Sequence, residues 1–151
     1  MGGTFDRLVA QGHDVHVAYQ TSGNIAVSND EALKYIEVIS DIIEDPSVYN
    51  DLKEELLHKE KNTIDSLALR TLKGTIRKRE SLAATRYVGI PDDQVHFLNL
   101  PFYESGKVQK NPPSQEDIDI TNELISSVKP HQIYAAGDLA DPHGTHRICL
   151  N

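Results

Sequence analysis

Apolar positions along this chain switch between a spacing of three or four and a spacing of two, the mark of helices alternating with strands. Thr4, Phe5, Leu8 and Val9 form a stripe at helical spacing that stops at Gly12, a residue suited to a helix C-terminal cap. Residues 14–19 then alternate as a strand does. Helix, tight turn and strand in that order make the second half of a βαβ unit, so a leading strand is expected before Met1. Ser28 and Glu31 read as a capping box. The helix they open is expected to run to about residue 44, with Leu33, Ile36, Val38, Ile39, Ile42 and Ile43 on its apolar side and Pro46 as its stop. Residues 48–86 are charged and helix-prone, with a long helix over about 64–87 that ends at Gly89. A strand follows over 95–100, closed by Pro101, with a loop over 102–106. Pro112, Pro113 and Ser114 open a helix over 115–128, and beyond Pro130 a last strand is expected over 132–136.

This alternation predicts an α/β fold: a Rossmann-like, mostly parallel sheet with helices on both faces, truncated at both ends. The length fits a single domain over residues 1–151, with 46–87 as a charged helical insertion within it. In open parallel sheets ligands gather at the carboxyl ends of the strands. Three loops fall there: 21–24, 101–106 and 137–146.

Composition narrows the partners. A formal net charge of -8, with 15 Lys and Arg against 23 Asp and Glu, supplies no basic stripe to displace counterions from phosphates, so no nucleic-acid partner is expected. No apolar run approaches the length of a membrane span, and residues 1–6 lack the basic start and apolar core of a signal peptide. Cys149 is the single cysteine, which excludes a disulfide framework within the chain. A soluble, cytoplasmic protein is the expectation.

The candidate chemistry centres on Asp141-Pro142-His143-Gly144-Thr145-His146. Imidazole is a common ligand for zinc, and its orientation is set by a second hydrogen bond. Two histidines three residues apart can share one metal ion, or one can hold the metal while the other faces a substrate. The plain alternative is a pair of exposed loop histidines beside an Asp-Pro turn. Asp138 and Asp141 are close enough to orient an imidazole or bind the ion. Thr21 and Ser22, with Gly23 and Asn24, offer hydroxyl and backbone N–H groups to a phosphate or sugar, or simply make a turn. Arg77 stands one helical turn from Glu80 and can pair with it on a solvated face. His13 and His16 stand three apart at the start of a strand, which sends them to opposite faces; they and His96 read as structural. Cys149 has no activating base nearby in sequence and reads as a packed thiol.

Several segments together resemble the LmbE-like, or PIG-L, metal-dependent de-N-acetylases. They are Gly2-Gly3-Thr4, Gly12-His13-Asp14-Val15, Thr21-Ser22-Gly23, Arg77 with Glu80, Ala84, Val88-Gly89-Ile90, the strand after Val95 and the motif from Asp141 to His146. The charged insertion and the run from Val95 to Gly106 are most similar to a subgroup in which this domain follows a glucosamine-6-phosphate deaminase (isomerase) domain. The resemblance implies Zn2+ as cofactor, with His146 as a metal ligand and His143 as the catalytic histidine that stabilises the oxyanion or protonates the leaving amine. It implies substrate contacts from Thr21, Ser22, Arg77 and Asp141. It also places a His-Pro-Asp-Asp motif, carrying the other ligands and the general base, before Met1. Thr145 stands where many members carry an acidic residue.

The expected function is that of a fragment of a metal-dependent hydrolase removing an N-acyl (acetyl) group from a small-molecule amino sugar, inactive as it stands and holding metal weakly if at all. The competing expectation is a non-catalytic assembly or sensing domain of a deaminase-type protein. No deaminase motif is recognisable. A missing leading strand would leave a sheet edge exposed and favour self-association.

Overall fold

The computed structural model describes residues 2–43, 47–60, 63–107, 109–135 and 144–150. The elements in chain order are α1 (Gly2–Ala10), β1 (Val17–Tyr19), α2 (Asn29–Ile42), α3 (Ser47–His58), α4 (Leu67–Tyr87), β2 (Val95–Phe97), α5 (Gln115–Val128) and α6 (Thr145–Leu150). The class is α/β, as the alternation predicts: helix-rich, around a small parallel sheet in which Val17 pairs with Val95, Ala18 with His96 and Tyr19 with Phe97.

The chain divides into two compact units, one of Met1–Ser22 with Lys78–Asn151, the other of Gly23–Arg77. In the first, the inward side chains of both strands meet helices on one face. Val15, Val17, Leu82, Ile90 and Val95 are buried together, with Phe5, Leu8 and Val9 of α1 packed against them. The helix ends that frame this core share one device. Gly12 and Gly89 take left-handed backbone, φ 80° and 84°. At each, the glycine N–H bonds three residues back and the next N–H five residues back: Gly12 to Val9 and His13 to Leu8, Gly89 to Arg86 and Ile90 to Thr85. Orphan carbonyls of α1 and α4 are thereby satisfied, and the chain is turned into each strand.

The second unit has its own core of Val27, Ala32, Ile36, Leu56, Leu69 and Ile76. Ser28 caps α2 as its sequence suggests, its side chain accepting the Glu31 N–H. Ser66 does the same for α4, accepting the Leu69 N–H at 3.1 Å, while its own N–H donates to Glu55 of α3 at 2.8 Å. α4 therefore starts at Leu67, three residues later than the hydrophobic pattern suggests. Within α4, Lys73, only 4 % exposed, donates to Asp65 (2.9 Å) and to Asn29 (2.8 Å), and Lys59 also pairs with Asp65. A buried ammonium is tolerated because its charge is matched and its donors are used. Those lysine bonds outweigh burial and hold the Asp65 carboxyl below the usual carboxylate range.

Three sequence expectations are corrected. Residues 132–135 form no strand, and all are exposed; a strand exists only where a neighbour accepts its ladder, and none of the described residues does so here. The apolar side of α2 is narrower than proposed: Ala32 and Ile36 are fully buried, whereas Val38, Ile42 and Ile43 face outward, Ile42 at 76 % exposure. A helix advances about 100° per residue, so positions two and six beyond Ile36 leave its stripe. Third, Thr145–Leu150 are helical, so the loop expected to run to His146 ends before Thr145.

Ile36→Ala should lower unfolding free energy by about 2–5 kcal/mol, whereas Ile42→Ala should change it by no more than about 0.5 kcal/mol. Urea denaturation of both variants checks the assigned face.

Candidate functional site

Because β1 and β2 run parallel, both open at the same edge. Pairing continues past the strands, with Leu98 N–H donating to the Tyr19 carbonyl and Leu100 N–H to the Gln20 carbonyl, each at 2.9 Å. From that edge emerge Gln20, Thr21 and Ser22 on one side and the turn 101–105 on the other. Asn99 takes a left-handed backbone (φ 48°) where the chain turns into that second loop.

Two hydrogen bonds gather the edge. The Ser22 N–H donates to Glu104 Oε1 at 3.3 Å. Gln20 Nε2 donates to the Cys149 carbonyl at 3.2 Å, which ties α6 to the end of β1 across 129 residues of sequence. Below them Leu100, Phe102 and Tyr103 are buried, with Leu98, Ile120, Ile148 and Cys149 packed on them. Thr21, Ser22 and Glu104 are half-buried, while His146, in the first turn of α6, is exposed.

Asp117 fastens the second loop. Its carboxylate is 4 % exposed and accepts the Phe102 N–H (2.9 Å), the Ser114 N–H (2.7 Å) and the Ser114 hydroxyl (2.7 Å). It completes a reciprocal capping box with Ser114 at the start of α5. Burial alone would raise this carboxyl, but the Phe102 and Ser114 donors outweigh it and hold the group below its ordinary value. Lys110 braces the same loop: its ammonium lies 3.6 Å from the centroid of the Tyr103 ring and donates to the Lys107 carbonyl at 2.9 Å. Burial pushes the Lys110 amine down, against the opposing pull of Glu104.

Of the residues singled out from sequence, Thr21, Ser22 and His146 belong to this unit, two on the β1 exit and one on α6. Arg77 belongs to the Gly23–Arg77 unit, where its side chain lies 3.4–3.7 Å from the position a Cβ would take on Gly23. Asp138, Asp141 and His143 lie outside the described residues. Burial pushes the Cys149 thiol up to about 11, so at neutral pH it is protonated and poorly nucleophilic. Among the described residues no group of three or more His, Cys, Asp or Glu side chains is placed to hold a metal ion. His146 alone is too small a donor set for the tetrahedral site that zinc requires.

Sequence reasoning passed over Gln20, Glu104, Lys110 and Asp117. Asp117 was within reach, since Ser114-Gln115-Glu116-Asp117 is a capping-box pattern immediately before an amphipathic run. The other three carry no local signal, because each bond or ring contact is set by how distant loops come to rest.

In open parallel sheets ligands gather at the carboxyl edge of the strands, and the polar loops of this unit converge there. The PIG-L family, described as GlcNAc-PI de-N-acetylase, matches residues 1–151, and the chain belongs to it. It is 49 % identical, over 160 aligned positions, to a protein of Bacteroides thetaiotaomicron named as glucosamine-6-phosphate deaminase-like. The match covers all of this chain but 24 % of that relative, so the chain spans about a quarter of the relative's length. No solved structure gives a significant match. Among the described residues no helix is long and apolar enough to cross a membrane.

Asp117→Asn should cost about 1–3 kcal/mol, since an amide nitrogen would meet buried N–H or O–H donors. The sign with pH follows from the depressed carboxyl. The stabilisation is complete above the unfolded value of 3.8 and is lost as pH falls toward the folded one. The variant should lack that part of the acid destabilisation, read from denaturation midpoints between about pH 2 and pH 5.

Proposed function

We propose that this chain contributes to a hydrolase that removes an N-acyl, typically acetyl, group from an amino-sugar substrate. The observation that carries the reading is the family match to de-N-acetylases over residues 1–151. The convergence of Thr21, Ser22, Glu104 and α6 on one strand edge supports it. In this reading Thr21 and Ser22 line the sugar-binding wall, with Glu104 holding the Ser22 backbone in place. The family resemblance by itself also assigns substrate contacts to Arg77 and Asp141. His143 stabilises the oxyanion or protonates the departing amine. The family resemblance assigns His146 to a zinc ion that would supply an activated water. The described residues do not make up a metal site by themselves.

A second reading is favoured by the name and length of the Bacteroides relative. In that reading this chain is a non-catalytic assembly or sensing domain of a deaminase-type protein.

Acetate release from N-acetylglucosamine, with and without a 6-phosphate, by the full-length parent protein separates the two. The hydrolase reading expects turnover that falls on the order of 10- to 100-fold in His146→Ala. Calorimetric binding of the same sugars with no acetate released, in a protein whose His146 is intact, would support the sensing reading instead.

A further inference from the structure

A second group of titratable residues lies at the other end of the strands, away from the polar edge. His16, just before β1, places Nδ1 3.0 Å from Nε2 of His96 in β2. The ring centroids are 5.3 Å apart and the planes differ by 9°. That separation equals the N···N distance plus the two ring radii, so the imidazoles meet edge to edge, nitrogen to nitrogen, and are not stacked face to face. Such a contact holds one proton between the two nitrogens. An ion with tetrahedral ligands would need both rings to swing off their common line.

Both histidines point away from the core face of the sheet, because Val15, Val17, Val95 and Phe97, their neighbours in the two-residue alternation, point into it. Among the described residues, two charged groups are placed near the pair or its strands. Asp14 Oδ1 lies 3.7 Å from His16 Nε2 and accepts from Gln94 Nε2 at 2.6 Å. Lys78 of α4 stands on the opposite face, 5.0 Å from the Phe97 ring centroid. His16 therefore has a carboxylate at its far nitrogen, ready to match a charge, whereas the charge felt by His96 is that of His16.

We propose that His16 and His96 form a proton-sensitive clasp between the β1 lead-in and β2, closed while the pair carries at most one extra proton and opened when both rings are charged. Full protonation puts N–H against N–H and replaces a hydrogen bond with repulsion between two cations. The ladder it guards is three residues long, and the same ladder positions the polar edge at the strands' other end, so opening the clasp loosens that edge as well. Burial, and then the charge of His16, favour neutral His96 in the fold. The unfolded chain takes up this proton near the ordinary value of 6.5. Stability is accordingly lost as pH falls from about 6.5 toward the depressed folded value.

The test is the urea midpoint of the protein between pH 8 and pH 4.5, for the unaltered chain and for His96→Gln. The unaltered chain should lose stability as pH falls below about 6.5, and the variant should lose most of that dependence. Parallel curves would overturn the clasp. Histidine-labelled NMR of the unaltered protein decides if the variant does not fold: His96 must remain neutral below pH 6.5, and an ordinary titration would overturn the proposal. Zinc chloride that raises the midpoint of the unaltered chain but not of His96→Gln would also overturn it, in favour of a metal site.

Discussion

A parallel ladder of three residue pairs, Val17–Tyr19 on Val95–Phe97, is the constraint on which the candidate edge depends. Parallel strands cannot be joined by a tight turn, so this ladder brings together segments almost eighty residues apart. Its few hydrogen bonds are a small part of its stability. The apolar face of Val15, Val17 and Val95 on Leu82 and Ile90 supplies the rest, and hydrophobic burial of that kind fixes register, since a one-residue slip would turn His16 and His96 inward. Once the register is set, both strands must end at the same edge, and the loops that follow have nowhere else to meet.

What shapes the edge is a small set of buried polar bonds. Asp117 binds the turn after β2 to the start of α5, and Gln20 binds the exit of β1 to α6. A buried carboxylate with its acceptor sites filled is stabilising only in one geometry, so Asp117 specifies the loop as well as holding it. α6, which bears His146 in its first turn, rests on the cluster beneath the turn through Ile148 and Cys149. The family to which the chain belongs matches residues 1–151, so this edge and the helices that frame it lie within the matched span.

Much of the local structure was legible beforehand. The stretch from Ser114 to Val128 reads as a capped helix and is one. Ser28 caps α2, and Gly12 and Gly89 end their helices, because caps are set by residues within one turn. The errors have a shared origin. An apolar run over 132–136 resembles a strand, but pairing is not encoded in the run itself. Val38 and Ile42 look like core by composition, yet the stripe of α2 is chosen by what α3 and α4 present to Ala32 and Ile36. The histidines at 16 and 96 read as separate structural residues, and only the ladder register makes them a pair.

The chain by itself determined its class, its alternation of helix and strand, most helix ends, and a family resemblance that the whole-length match bears out. These depend on side-chain periodicity and caps, which act over a few residues. Tertiary structure alone decided the partner of each strand, the face each helix buries, the contacts of Gln20, Glu104, Lys110 and Asp117, and the meeting of His16 with His96. Those depend on distances between residues far apart in sequence, which no local pattern carries.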